Sequence, residues 1–365
     1  MKNTYRILGL MSGTSLDGLD MACCDFRWIG GRWEYQVGAA ETRGYTPAWK
    51  ERLANLEKGT ALEFVTADVE YGHLLGELSR EFLERHHLQP DFIASHGHTI
   101  FHQPSKRFTS QIGSGAAIAA ETRIPVVCDF RSADVALGGQ GAPLVPVGDE
   151  LLFPAYRYCL NLGGFANVSF RQSGRQIAFD ICPANIMLNA LAAKTGMEYD
   201  HNGILASRGM VITPLLDQLN ALPYYRTPPP KSLGKEWTLD HVWPLLHQSG
   251  AEMADLLATW CEHMAIQISQ ACSGADAQEE SDPAPAGKIL VTGGGALNLF
   301  LMERLKARME PRIVIPDPAV INYKEALIFA FLGLLRWRGE PNCLSSVTGA
   351  AFSHSGGAIY QVGGS

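Results

Sequence analysis

The 365-residue chain lacks several features that would assign it quickly, and each absence narrows the choice. No C-x-x-C pair occurs among its eight cysteines, Cys23, Cys24, Cys128, Cys159, Cys182, Cys261, Cys272 and Cys343. Most sit inside apolar segments, where a thiol behaves as a small hydrophobe. A reducing compartment fits that pattern better than a disulfide framework. No basic run stands out, and the net charge is −7, which makes nucleic acid and anionic membranes poor partners. Met1–Arg6 runs straight into a strand-like segment, without the apolar core and cleavage site of a signal peptide. No stretch reads as a membrane span, so a cytoplasmic protein is expected. There is no G-x-x-x-x-G-K-[ST], and Gly113-Ser114-Gly115-Ala116-Ala117-Ile118 fails the G-x-G-x-x-G pattern at its last position. That argues against P-loop and dinucleotide-binding folds.

What is present is length, apolar content and grouped glycine. The chain is longer than one hydrophobic core usually serves, so two domains are expected. Apolar residues make up 46% and charged residues 18%, as in a well-packed enzyme. The 37 glycines gather in short groups between apolar runs and read as turns and ligand loops.

Residues 5–11 and 19–26 predict two strands of a hairpin, with a weaker strand at 35–40. Helices are predicted at 47–57 and 62–87, then a strand at 92–95 ending in His96-Gly97-His98-Thr99. A short helix at 116–122 and a buried strand at 126–129 precede a loop, Asp129–Asp134 and Gly138–Pro143. At Tyr158 the opening pattern returns: strands at 158–162, 166–171 and 176–179, with Gly163-Gly164 at the first turn. This approximate repeat suggests two similarly folded halves joined near residues 130–150. Helices at 186–195 and 251–272, a polar loop at 273–287 and a strand at 288–291 follow. Gly293-Gly294-Gly295 leads into a helix near Asn298, and a last helix covers 323–337.

Two glycine-rich hairpins and a Gly-Gly-Gly turn let backbone amides and hydroxyls approach phosphate oxygens. Ser12, Thr14 and Ser15 add hydroxyls, and Asp17 or Asp20 suits water-mediated Mg²⁺. A plain hairpin is the competing reading for the first turn alone. Asp180, at the end of a strand, is a candidate base or an ordinary helix N-cap. Arg131 either holds an anion or pairs with Asp129 or Asp134. Glu325 either meets a substrate or is a first-turn carboxylate of its helix. His96, His98 and His102 permit a zinc reading, disfavoured because no acidic or Cys partner follows at ligand spacing.

The order hairpin, hairpin, Gly-Gly-Gly resembles the superfamily of acetate and sugar kinases, heat-shock chaperones and actin. The motifs Met11–Asp20, Ser95–Thr99, Asp129–Asp134, Gly138–Pro146, Asn161–Gly164, Tyr199–Gly203, Pro230–Ser232 and Val347–Ala350 together resemble the 1,6-anhydro-N-acetylmuramic acid kinase family. The resemblance implies an α/β fold of two duplicated actin-like, ribonuclease H-like domains. Each would have a mixed five-stranded sheet flanked by helices, with ATP in the cleft between them. The implied domains are 1–135 and 136–340, with residues from about 340 to 365 returning to the first.

The implied ATP-binding residues are Gly13, Thr14, Ser15, Leu16, Asp17, Gly18, Leu19, Asp20, Asn161, Gly163, Gly164, Gly293, Gly294 and Gly295. His96, His98, Thr99, Arg131 and Glu325 are the implied sugar-binding residues, with Mg²⁺ at Asp17 and Asp20. Asp180 is implied as the base that activates water for opening of the anhydro bridge, coupled to phosphorylation of O6 in cell-wall recycling. Family members read Phe-Asp-Thr-Gly-Pro there, whereas this chain reads Phe179-Asp180-Ile181-Cys182-Pro183. His98 stands where Gln is commoner. The partners implied are a small amino sugar and a second copy of the chain in a homodimer. Competing functions are a kinase of another amino sugar or sugar acid, a nucleotide-driven switch, and a metal-dependent hydrolase.

Overall fold

The computed structural model describes residues 2–13, 16–276, 287–309 and 312–362. Thr14 and Ser15 lie outside the described residues, as does most of the polar segment expected at 273–287. The chain divides into two compact units, Met1–Leu152 with Tyr323–Ser365, and Phe153–Asn322.

The first unit begins with strands β1 (Thr4–Ser12), β2 (Gly18–Ile29) and β3 (Arg32–Gly44). After two helices, the second spanning Ala61–Arg85, come β4 (Phe92–Ser95), β5 (His98–Gln103), β6 (Phe108–Ile112) and β7 (Val126–Cys128). The second unit holds β8 (Tyr158–Leu162), β9 (Phe165–Gln172), β10 (Arg175–Pro183), β11 (Ile289–Thr292) and β12 (Ile313–Val314). The last strand, β13 (Ala358–Tyr360), returns to the first unit.

The large sheets run β13-β7-β4-β1-β2-β3 and β10-β9-β8-β11-β12. In the first, β1–β2 and β2–β3 are antiparallel while β1–β4 and β4–β7 are parallel. In the second, β8–β9 and β9–β10 are antiparallel while β8–β11 and β11–β12 are parallel. The two units thus repeat one topology, as the recurring strand and glycine pattern predicted. The first sheet has six strands instead of five, because β13 adds an antiparallel edge to β7.

β4 and β11, each with a parallel neighbour on both sides, sit inside their sheets and are short and apolar. Phe92-Ile93-Ala94-Ser95 and Ile289-Leu290-Val291-Thr292 are buried throughout, as strands covered on both faces must be. Helix Ala61–Arg85 starts from a capping box in which Thr60 and Glu63 satisfy each other's backbone amides. Tyr71, Leu75 and Phe82 on its inner face join Leu8, Leu10 and Ile93 in the first core. Helix Met253–Asp276 fills the second core with Leu257, Trp260, Met264 and Ile268. It runs beyond Cys272, into the segment expected as loop, because no proline interrupts it before Pro283.

Helix Pro318–Arg338 is long and apolar enough to cross a membrane, a property not expected from the sequence. It is mostly buried in the protein. A side chain at Gly9 of β1 would stand 2.1 Å from the Ala326 carbonyl, so glycine there allows strand and helix to touch. Residues 136–152 and 323–340 go with the first unit, not the second as the expected boundary had it. The reason is packing: Gly148 lies against Ile328, and Asp149 forms a buried ion pair with Lys324 at 2.7 Å. Helix Ser132–Ala136 begins within the loop expected at Asp129–Asp134, and the hairpin β5–β6 and helix Val145–Leu152 occupy stretches to which the sequence assigned no element.

Candidate active site

In the first unit, the β1–β2 turn carries the opening motif. Leu16 adopts a left-handed backbone (φ 60°) and its amide bonds to Gly13 O at 3.3 Å. Asp17 and Gly18 follow, and a side chain at Gly18 would meet the Arg43 carbonyl of β3 at 2.4 Å. Leu19 is buried and Asp20 half-buried. Asp20 Oδ1 accepts from Thr42 Oγ1 at 2.6 Å. Its carboxyl is raised above the usual range, chiefly by burial, with nearby Asp17 adding like charge.

Behind that turn runs a buried chain of hydroxyls. Tyr45 OH lies 2.6 Å from Tyr71 OH and donates to Ser12 Oγ at 2.7 Å. Ser12 Oγ lies 2.9 Å from His98 Nδ1. Burial depresses His98 to about 4, so it is neutral at physiological pH. With Nδ1 accepting from Ser12, the ring presents Nε2–H as a donor. The next strand residue, Thr99, accepts from Gln111 Nε2 at 3.4 Å.

His96 is also kept neutral, by burial and then by Arg131. Its Nδ1 bonds to Gly97 O at 2.9 Å, which leaves Nε2 to accept from Arg131 Nε at 3.0 Å. Arg131 Nη1 donates to Gly141 O at 2.6 Å. Arg131 therefore bonds to His96 and Gly141, and not to Asp129 or Asp134, the ion-pair partners that the sequence suggests. Asp134 instead braces the loop, accepting from Gly141 N at 2.7 Å and Thr348 Oγ1 at 2.8 Å. Burial lowers Arg131 to about 10, against the pull of Glu325.

Glu325 is exposed as a residue, but protein crowds its carboxyl. Its carboxyl is raised, first by desolvation, with Arg131 opposing and Asp20 adding to the rise. Helix Pro318–Arg338 is interrupted at Tyr323, whose backbone is non-helical, so Glu325 falls in the first turn of the segment that resumes there. Asp20, Arg131 and Glu325 are thus electrostatic neighbours although far apart in sequence. The three histidines do not converge as metal ligands: His96 and His98 take separate partners, and His102 Nδ1 bonds to Thr109 Oγ1 at 3.0 Å.

In the second unit the corresponding β8–β9 turn carries Asn161, Gly163 and Gly164. Gly163 O accepts from Asn185 N at 3.1 Å, and Gly164 O from Ala184 N at 2.8 Å. A trans peptide places C=O and N–H on opposite sides, so the Gly164 amide faces away from helix Asn185–Ala193. The Gly293–Gly295 turn packs directly on this hairpin. Gly293 has φ 82°, and a Cβ there would stand 2.6 Å from Asn161 Oδ1. A Cβ at Gly295 would stand 2.7 Å from the Leu162 side chain. Gly294, between them, faces Asn185 with room to spare.

Asp180 lies on β10, the edge strand, where the register with β9 shifts between Asp180 and Cys182. Its Oδ2 accepts from Leu233 N at 2.9 Å, and its backbone O accepts from Tyr224 OH at 2.6 Å. It is not the N-cap of the following helix; Ala184 holds that place. Burial raises its carboxyl above the ordinary value, with the Leu233 amide opposing. A raised carboxylate with one free oxygen has the properties of a general base.

Tyr45, Tyr71, Tyr224 and Leu233 do not stand out in the sequence as site residues. For Leu233 the one local signal is the Pro230–Ser232 motif that ends beside it.

The anhydro-N-acetylmuramic acid kinase family model matches residues 5–362. An anhydro-N-acetylmuramic acid kinase of Coxiella burnetii is 36% identical, covering 97% of this chain and 97% of the relative. Another, from a Picosynechococcus species, is 34% identical over 94% of this chain and 96% of its own. Among solved structures, a ROK family glucokinase from Streptomyces griseus aligns with TM-score 0.41 and 10% identity, covering 90% of this chain and 98% of that one. On the full-length family match and the relatives' identity, the chain belongs to the anhydro-N-acetylmuramic acid kinase family.

Proposed function

We propose that this protein uses ATP to convert 1,6-anhydro-N-acetylmuramic acid into N-acetylmuramic acid 6-phosphate and ADP, as a step of cell-wall recycling. The observation that carries this reading is the family match over residues 5–362. The substrate has no free 6-hydroxyl, so a bond must open before or as phosphate is transferred. Asp180 takes a proton from water, the water oxygen bonds to C1, and the C1–O6 bond breaks. O6 then takes the γ-phosphoryl group and ADP leaves. A base with its pKa lifted toward the working pH is suited to this proton transfer, and burial supplies the lift.

The remaining groups take supporting roles. The turn from Gly13 to Asp20, the turn Asn161–Gly164 and the turn Gly293–Gly295 hold ATP, with outward amides such as that of Gly164 meeting phosphate oxygens. His98 offers Nε2–H, and Arg131 a guanidinium fork, to polar groups of the sugar. Thr99 and Glu325 complete that set. The Asp17 and Asp20 carboxylates fit Mg²⁺, a hard cation that prefers oxygen ligands. Mg²⁺ would neutralise phosphate charge during transfer. A cytoplasmic homodimer is the setting proposed.

The test is incubation with ATP, Mg²⁺ and 1,6-anhydro-N-acetylmuramic acid, with mass spectrometry for the 6-phosphate. N-acetylglucosamine and N-acetylmuramic acid are run in parallel. Product from the anhydro sugar alone is expected. Product only from the ordinary amino sugars would overturn the anhydro reading and leave a general amino-sugar kinase.

A further inference from the structure

The segment from Pro223 to Leu233 does more than pass beside Asp180. It takes up each of that residue's polar groups except one. Asp180 N donates to Lys231 O at 3.3 Å. Asp180 O accepts from Tyr224 OH at 2.6 Å, and Oδ2 accepts from Leu233 N at 2.9 Å. Oδ1 has no hydrogen bond among the described residues.

The sheet explains why such a partner is needed. β10 is an edge strand, so one side of its backbone lacks a ladder. Between Asp180 and Cys182 one residue, Ile181, is extra relative to β9. A bulge of this kind re-aims a side chain and leaves nearby backbone groups unpaired. Lys231 O and Tyr224 OH supply the missing backbone pairing, and Leu233 N takes the side chain.

The segment is itself fastened. Lys231 Nζ donates to Tyr224 O at 3.2 Å and lies 4.6 Å from the centre of the Tyr224 ring, which ties its two ends together. Tyr225 OH lies 2.9 Å from His263 Nε2, on helix Met253–Asp276. His263 Nδ1 and Gln267 Nε2 both bond to Asn220 Oδ1, at 2.7 and 2.9 Å. Since Nδ1 must donate to that carbonyl, Nε2 accepts from Tyr225. Burial lowers His263 to about 3, so this anchor does not titrate near neutral pH.

We propose that residues 223–233 form a positioning clamp, in which the Leu233 amide immobilises Oδ2 of Asp180 and leaves Oδ1 as the oxygen that takes the proton from water. This inference rests on Asp180 being the base. Leu233 is a positioning residue, acting only through its backbone N–H. The other ionisable groups around Asp180 are Cys182 on its own strand, Tyr224 and Lys231. Burial lifts Cys182 and Tyr224 above their ordinary values, so both are uncharged where a carboxyl titrates. The Lys231 ammonium rests on the tyrosine ring instead of pairing with Asp180.

The experiment compares pH profiles of kcat/KM for the full-length enzyme with its anhydro-sugar substrate. Leu233→Ala keeps the amide, so its acidic limb should coincide with that of wild type, and it serves as the side-chain reference. Leu233→Pro removes it, as does replacement of Leu233 by its α-hydroxy acid, an ester that preserves shape should the proline variant fail to fold. Removing the donor lifts Asp180 further, so the acidic limb moves to higher pH. The rate at neutral pH falls about 10- to 100-fold, the size of a lost hydrogen bond to a charged group. An acidic limb coincident with that of Leu233→Ala overturns the clamp. Asp180→Asn is assayed alongside. If it stays active, the base assignment fails; if it is inactive while the limb does not move, only the clamp fails.

Discussion

The two units repeat one sheet topology yet treat their carboxylates differently. In the first, Asp20 has Asp17 as a like-charged neighbour and is opposed by the Thr42 hydroxyl, while Glu325 feels Asp20 and is offset by the cations Arg131 and Lys324. In the second, Asp180 has no cationic partner among the described residues and is held by a backbone amide. Asp20, Glu325 and Asp180 are each raised first by desolvation, but the opposing influence differs. A group of carboxylates calls for a cation. A single raised carboxylate with a free oxygen is ready to take a proton. On the proposed assignment, one duplicated scaffold separates charge handling from proton handling.

The largest expected effect tests the proton-handling side. Asp180→Asn should lower kcat by about 10³-fold, within the range for loss of a general base. ATP affinity, measured by calorimetry, should stay within about 2-fold of wild type if the base only moves a proton. Next comes the first unit's cation. Arg131→Ala should raise KM for the sugar by about 10- to 100-fold, since truncation removes a charge-assisted hydrogen bond. Arg131→Lys should recover little of that, because it cannot reproduce the fork to His96 and Gly141. A kcat loss with KM unchanged would move Arg131 out of substrate binding.

A smaller effect separates the two carboxylate types. Asp20→Asn should raise the Mg²⁺ concentration for half-maximal activity by about 10-fold, the scale expected for removing one charged ligand group. Asp180→Asn, measured with single-turnover sensitivity, should leave that concentration unchanged. Equal responses in both variants would erase the distinction.

The smallest is a matter of stability. Asp180 has a folded-state pKa above its unfolded value, so its contribution is most favourable at low pH. It declines as pH rises through the folded pKa. Asp180→Asn should therefore melt about 2 °C higher than wild type at neutral pH. The gap should narrow as pH falls toward about 4, the ordinary aspartate value.

Much of this comparison is legible in the sequence, and the reasons are local. The duplication shows because strand, glycine turn and strand recur at Tyr158 in the order seen at Tyr5. Asp180 stands out because it follows the apolar strand expected at 176–179 and precedes Pro183, although β10 continues through it to Pro183 instead of ending there. Its partners do not: Leu233 lies 53 residues away and contributes only an amide, which every residue but proline carries. The bond between Ser12 and His98 spans 86 residues, and the tyrosines behind it read as ordinary core. Sequence alone offers Arg131 the carboxylates beside it, whereas the fold brings up His96 and the Gly141 carbonyl. Helices Ser132–Ala136 and Val145–Leu152 are hidden by the glycines and prolines between them.

The claim that Asp180 activates water for bridge opening is tested most directly with oxygen-18 water. In a single turnover with ATP and 1,6-anhydro-N-acetylmuramic acid, mass spectrometry of the trapped and reduced product should find the label on C1 and none in the phosphate. Asp180→Asn should form no labelled product on that timescale. Label in the phosphate or ADP instead of on C1, or labelled product from Asp180→Asn at the wild-type rate, would contradict the account.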